Sequence, residues 1–348
     1  MNKRILAAMA AGSLLAAISG CGNAAAPAAG GPGEGTKFNW GVPQASYLTL
    51  YVADEKGYFK DEGLDPQFQV FQTGAPLLAG LESNSLDVVT TGLASIFALG
   101  KDIPLRYIVA EGNASATEGL VVAADSPVKS VKDLAQAGKI GVPTGTCAQI
   151  SAYFAAKAAG LELSDLDIVN ITPNLMGNAF ASKSITAGIS WSPYLADLSL
   201  QGQRIVGYDA EWVPGGAACP EMHAGNPAFL DANPQVPTKI VRALGKAWAD
   251  IKADKSIAVD TLMKRLHVSK EVAEVTAERY IETYPTLEQQ LDPNSQFSFT
   301  GDNGLFAQLT VASETFAKLG VIKAPVPKDV LRKALDPQYV QAAGLAAK

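Results

Sequence analysis

The sequence predicts an α/β fold in two lobes, and three observations carry that prediction. Short apolar runs with strand character alternate with amphipathic stretches from residue 38 onward, the signature of strands packed against helices. The alternation starts afresh near Ser130, so a second α/β unit follows the first. At 348 residues the chain has room for two cores of ordinary size. In such folds the strands are expected to run parallel, with ligand chemistry at their C-terminal ends.

The N-terminus stands apart from this body. Lys3 and Arg4 precede an apolar stretch over 5–18. It is too short for a membrane span, which needs about 20 apolar residues, and reads as an export signal over 1–20. Its end, Ile18-Ser19-Gly20-Cys21, resembles the lipobox of bacterial lipoproteins. Cys21 would then be lipidated and become the first mature residue. The alternative is an ordinary signal peptide cut near residues 24–28. Residues 21–36 are rich in Gly, Ala and Pro and read as a flexible tether. No later segment is long and apolar enough to span a bilayer.

Within the body, strands are expected at 38–42, 68–71, 86–91, 105–110 and 120–123. Between them, 48–56 is amphipathic and ends at Gly57, and 58–62 forms a short turn stopped by Gly63. Thr73 is placed to cap a helix with Pro76 in its first turn. The second unit opens with a short helix over 130–138, Ser130 at its start and Gly138 at its stop. Strands follow at 139–142, 167–171, 187–191 and 205–207, with a loop and helix over 144–160. After His223 the pattern turns helical, at 226–233, 236–253, 256–266, 270–281 and 304–319.

Composition excludes several classes. Hydrophobic residues make up 48% of the chain against a net charge of −6, which rules out overall disorder. An acidic protein offers no basic field to nucleic acid. Two His and three Cys argue against a multi-ligand zinc protein, and neither metal nor cofactor is expected. Cys-x-Glu-x-His over 219–223 is too short a run of mixed ligands to change that, and His223 reads as a hinge or cleft-lining residue.

Five runs line up with a known family: ADEKGYFKDEGLDPQF from Ala53, QTGAPLLAGLESNSLDVVTTG from Gln72, KSVKDLAQAGKIGVPTGT from Lys129, ISWSPYLADL from Ile189 and NPAFLDANPQV from Asn226. In this order they resemble the solute-binding proteins of ABC importers in the nitrate/sulfonate/taurine group, most of all the taurine-binding members. At one point the chain departs from that pattern. Lys183 and Thr186 stand where the family commonly has Gly and Asp before the Trp-x-Pro strand.

The resemblance implies a two-lobed Venus-flytrap fold of the type II periplasmic binding proteins, with the ligand in the cleft. Lobe one would comprise 37–123 and 223–348, and lobe two 124–222. It also implies a non-enzymatic monomer, exported and held to the membrane by its lipid alone. The partners would be a small solute and the transmembrane permease subunits.

Candidate ligand residues fall on turns that lead into helices and on the segments expected to reach the cleft. Thr73-Gly74, Thr91-Gly92 with Ala94, and Thr144-Gly145-Thr146-Cys147 place hydroxyls and free N–H groups at helix starts. Glu118, with Asn113 nearby, and Glu221 supply acid. In the resembling taurine binders, the acid at the position of Glu221 meets an ammonium. Gln44, Tyr47 and Trp191 sit beside strand ends, where an aromatic face suits a cation. Trp40 reads as core.

No Lys or Arg occurs in segments 43–47, 73–76, 90–94, 112–119, 143–149, 190–194 or 217–221. That favours a zwitterionic or cationic solute, such as a taurine-like aminosulfonate or another small amine. A plain sulfonate, nitrate or a pyrimidine precursor is the alternative within the family, and an enzyme on the same fold or a sensor the alternative outside it. Cys147 and Cys219 are expected to pair, as exported cysteines do, with two free thiols as the alternative.

Overall fold

The computed structural model describes residues 35–72, 74–214 and 219–346. The leader, Cys21, nearly all of the tether and Thr73 lie outside the described residues. Ten strands form two five-stranded sheets. Sheet one contains β1 (Thr36–Pro43), β2 (Leu64–Phe71), β3 (Val88–Thr91), β4 (Arg106–Asn113) and β10 (Pro220–Gly225), in the order β2-β1-β3-β10-β4. Sheet two contains β5 (Glu118–Val122), β6 (Lys139–Val142), β7 (Asp167–Asn170), β8 (Ala187–Trp191) and β9 (Arg204–Tyr208), in the order β7-β6-β8-β5-β9.

The sheets are mixed, not parallel throughout. β1 pairs in parallel with β2 and β3, and β6 with β7 and β8. β10 runs antiparallel between β3 and β4, and β5 antiparallel between β8 and β9. Each exception is the strand that has just come over from the other half of the chain. A strand that crosses over without an intervening helix is free to run antiparallel, whereas a parallel neighbour needs a long connection.

This corrects the expected crossovers. The segment 120–123 was assigned to lobe one, but β5 belongs to sheet two, where all five of its residues are buried. The chain leaves sheet one after Asn113 and needs only the 3-10 turn Ala114–Ala116 to reach β5. It returns after β9 and re-enters sheet one at Pro220, three residues before the expected lobe boundary at 223. β10 itself was not expected. Its sequence, PEMHAG, alternates Pro220, Met222 and Ala224 with Glu221, His223 and Gly225, but over six residues without a β-branched or aromatic side chain that is a weak strand signal.

Local chemistry explains other differences. β1 begins at Thr36, inside the expected tether, because the Thr36 N–H bonds the Gly63 carbonyl at 2.9 Å. β2 starts at Leu64 and tolerates Pro66 because it is an edge strand. Lys183 adopts φ 56°, in the left-handed region that favours glycine, the residue the family commonly has there. Thr186 uses its hydroxyl to donate to the Ala137 carbonyl at 2.6 Å, tying the strand start to the preceding loop.

The helical C-terminal half matches its periodicity. Helix Val236–Ala253 buries Ile240, Val241, Leu244, Ala247 and Ile251, spaced by three and four residues along one face. Each fully buried Leu or Ile contributes roughly 1.5–3 kcal/mol. Helices Leu287–Leu291, Lys328–Ala334 and Gln338–Ala346 are short and were not anticipated. Among the described residues, no helix is long and apolar enough to cross a membrane.

Candidate functional site

A cavity of about 60 Å³ lies between the two sheets. Tyr47, Gly74, Thr91 to Ala94 and Glu221 line it from the sheet-one side. Glu118, Gly145 to Cys147 and Trp191 line it from the sheet-two side. Thus Tyr47, Gly74, Thr91, Gly92, Ala94, Glu118, Thr146, Cys147, Trp191 and Glu221 are brought together. Asn113 lines an adjoining hollow that shares Trp191 and Glu221 with the cavity.

Two expected residues are elsewhere. Gln44 lines a separate surface hollow with Tyr194, Asp197 and His267, and its side-chain Oε1 accepts from Gln72 Nε2 at 3.3 Å. Thr144 is exposed, and its N–H donates to Asn170 Oδ1 at 3.1 Å. The Gly145 N–H is likewise taken by Gln149 Oε1 at 2.8 Å, and the Thr146 hydroxyl donates to the Pro143 carbonyl at 2.7 Å. The start of helix Cys147–Ala158 therefore offers a ligand fewer donors than its sequence suggests, because side chains of the same lobe already occupy them.

The acids are the distinctive feature. Glu118 is fully buried, and among the described residues no N–H or hydroxyl donor reaches either of its oxygens. Its neighbour is another carboxyl. Gly119 pairs with Tyr208 in antiparallel register, which sets Glu118 opposite Asp209. Burial, with Asp209 and Glu221 nearby, pushes the Glu118 carboxyl well above its usual range. Asp209 is also raised by burial, and the Ser151 hydroxyl donates to it. Trp212 Nε1–H in turn donates to Ser151 Oγ at 3.2 Å. Glu221 is half-buried by its overall exposure, but its carboxyl is pushed up to about 8 by burial and by the charge of Glu111.

Behind Glu221 runs a buried chain of hydrogen bonds that crosses sheet one in strand order. Trp40 Nε1–H on β1 donates to Thr90 Oγ1 on β3 at 2.9 Å. Thr90 Oγ1 lies 2.8 Å from His223 Nδ1 on β10. His223 Nε2 lies 2.9 Å from Glu111 Oε2 on β4. Glu111 also accepts from the Thr49 N–H at 3.2 Å and from the Tyr280 hydroxyl. His223 is fully buried and does not line the cavity, which corrects its expected cleft role. It packs edge-on against Trp40, whose ring is in the core as expected.

Sequence reasoning missed Glu111 and Asp209. A single acid at the end of the apolar run RYIVAEGN was a usable signal for Glu111. Asp209 carried none, since its importance depends on cross-strand register.

Cys147 and Cys219 are joined in a disulfide, with Cα atoms 5.8 Å apart. Cys147 starts a helix that follows β6 of sheet two, and Cys219 immediately precedes β10 of sheet one. The bond therefore links the two sheets, not two points of one lobe as the expected boundaries had it. Arg279 of helix Lys270–Thr283 stacks over the Tyr208 ring at 3.5 Å and donates to the Ala116 carbonyl at 3.4 Å, outside the cavity lining.

Two mixed sheets with a cavity between them, closed by aromatic and acidic side chains, define the periplasmic binding protein architecture. The chain belongs to the NMT1/THI5-like family, whose model matches residues 44–258. It is 26% identical over 283 residues to a protein of Brucella abortus (strain 2308) described as a binding protein, covering 80% of this chain and 84% of the relative. It is 23% identical over 225 residues to the taurine-binding periplasmic protein of Escherichia coli (strain K12), covering 64% and 68%. Its fold is similar to the crystal structure of the periplasmic aliphatic sulphonate binding protein SsuA from Escherichia coli, with a TM-score of 0.71 at 20% identity over 87% of this chain and 92% of that one. The resemblance to the nitrate/sulfonate/taurine group and the expected fold class both hold.

Proposed function

We propose that the protein is the extracytoplasmic solute-binding component of an ABC importer, and that its cavity takes a small cationic or zwitterionic amine. The observation that carries the ligand class is the meeting of Glu118 and Glu221 in one cavity with no Lys or Arg among its lining residues. A plain anion placed there would have to keep both acids protonated, because burying like charges together is costly. An ammonium gives each carboxyl a partner, and the half-buried Trp191 indole and Tyr47 supply aromatic surface beside it. Relatives named for binding taurine and sulfonates support a solute of that size, with the aminosulfonates among the candidates.

The two sheets support a division into lobes of roughly 36–113 with 220–346, and 118–212. Solute contacts made only in the closed state would favour closure, and the closed form would dock on the permease. The protein acts as a binding module without chemistry of its own. Its two body cysteines are bonded to each other, which withdraws them as nucleophiles. A lipid on Cys21 would hold the monomer at the membrane. Replacing Cys21 with Ala should release the protein from the membrane fraction, and retention there would count against the anchor.

A thermal-shift screen of the soluble body tests the ligand class. Small amines and aminosulfonates should raise the melting temperature by binding the folded form, while nitrate and alkanesulfonates should not. A shift by plain anions alone would overturn the acidic-cavity reading and leave the importer reading standing.

A further inference from the structure

Resting on the acidic-cavity reading, we propose that Asp209 is a positioning residue: its carboxyl shares one proton with that of Glu118 and so fixes the orientation and charge of the acid that sheet two presents to the solute. Asp209 does not line the cavity and is 2% exposed. It stands one residue past the end of β9, beside Glu118 where the Gly119–Tyr208 pairing runs out, and the two carboxyls are within hydrogen-bond reach. Two carboxylates in contact repel, and two carboxyls bond only through a shared proton. Among the described residues no N–H or hydroxyl reaches Glu118, and Asp209 is the carboxyl bonded to it that can orient it. Asp209 is itself held from behind by the Ser151 hydroxyl, which is fixed by Trp212 Nε1–H.

The charged surroundings leave the pair its proton. Glu221 across the cavity brings no positive charge, and when it ionises it opposes ionisation of Glu118. Arg279 is committed to the Tyr208 ring and the Ala116 carbonyl. A solute bringing positive charge to Glu118 replaces the shared proton, which passes to solvent. A neutral solute leaves it in place. Asp209 thereby selects for charge without touching the ligand.

The test needs no ligand, so its failure is distinct from failure of the amine reading. Infrared spectroscopy follows the C=O stretch of protonated carboxyls as the pH of the unliganded full protein is raised. In the wild type, a buried carboxyl should stay protonated through neutral pH, and Glu118→Gln should remove its band. In Asp209→Asn the new amide can donate to Glu118, so that band should vanish at least about one pH unit lower. If Asp209→Asn fails to fold, Ser151→Ala serves instead. Loss of its hydroxyl leaves the ionised pair one donor short, so the band should persist to higher pH. A wild type with no neutral-pH band removed by Glu118→Gln overturns the proposal. So does a folded Asp209→Asn protein whose band is unmoved.

Discussion

His223 Nε2 on β10 lies 2.9 Å from the carboxylate of Glu111 on β4, and both side chains are fully buried. Trp40 has only a donor, so Thr90 accepts from it and can pass its own proton to His223 Nδ1. His223 Nε2–H then donates to Glu111, and a neutral imidazole satisfies every link. Replacing His223 with Ala breaks the chain in the middle, leaves the Thr90 hydroxyl without its acceptor, leaves Glu111 Oε2 only the Thr49 hydroxyl and removes the ring packed on Trp40. The loss should be roughly 2–4 kcal/mol, combining an unpaired buried donor with a cavity. Urea denaturation measures it; a midpoint near that of the wild type would mean the chain is dispensable.

Gly92 packs against the cystine at the cavity wall. A Cβ there would come 3.0 Å from Cys147 Sγ and 3.3 Å from Cys219 Sγ. Bonded sulfurs cannot swing aside as a free side chain would. Gly92→Ala should therefore destabilise the oxidised protein by about 1–3 kcal/mol. The same substitution should cost less after reduction, when the two sulfurs can separate. Equal losses in both redox states would count against that contact.

The disulfide closes a loop across a sequence separation of 72 residues and joins the two sheets. Constraint of the unfolded chain over a loop of this length is worth up to about 4 kcal/mol. Cys147→Ser with Cys219→Ser should lower the urea midpoint accordingly. A thiol reagent applied to the body from residue 37 onward, which lacks Cys21, should label it only after reduction, and labelling beforehand would refute the bond.

Much of the fold was readable because periodicity reports burial directly. Helix Val236–Ala253 and strands such as β6 and β8 follow from apolar spacing alone. What escaped depended on partners distant in sequence. β10 is a strand because β3 and β4 flank it, since PEMHAG, six residues without a β-branched or aromatic side chain, is a weak strand signal by itself. The sheet membership of β5 is likewise decided by pairing with β8 and β9. In the site, small residues at helix starts and the absence of Lys and Arg were visible in the chain. That Asn170 and Gln149 occupy the amides of Thr144 and Gly145 was not, because those bonds depend on loop geometry.

The Glu221 carboxyl gives the unliganded protein a definite pH dependence. Burial and Glu111 raise it from an ordinary 4.5 to about 8, so the folded state holds a proton that the unfolded state has lost between those values. Stability therefore falls as pH rises through that window, since the unfolded state binds fewer protons there. Glu221→Gln should flatten this part of the profile, which thermal melts between pH 5 and 8 would show. The same proton opposes a cationic solute. For an amine that binds the wild type, affinity should climb with pH until about 8, where Glu221 ionises without help. At pH 8 Glu221→Gln should lose at least about 2 kcal/mol of binding, the scale expected when one partner of a desolvated charge pair is removed. Calorimetric titration decides it: unchanged affinity in the variant would take Glu221 out of the ligand's reach.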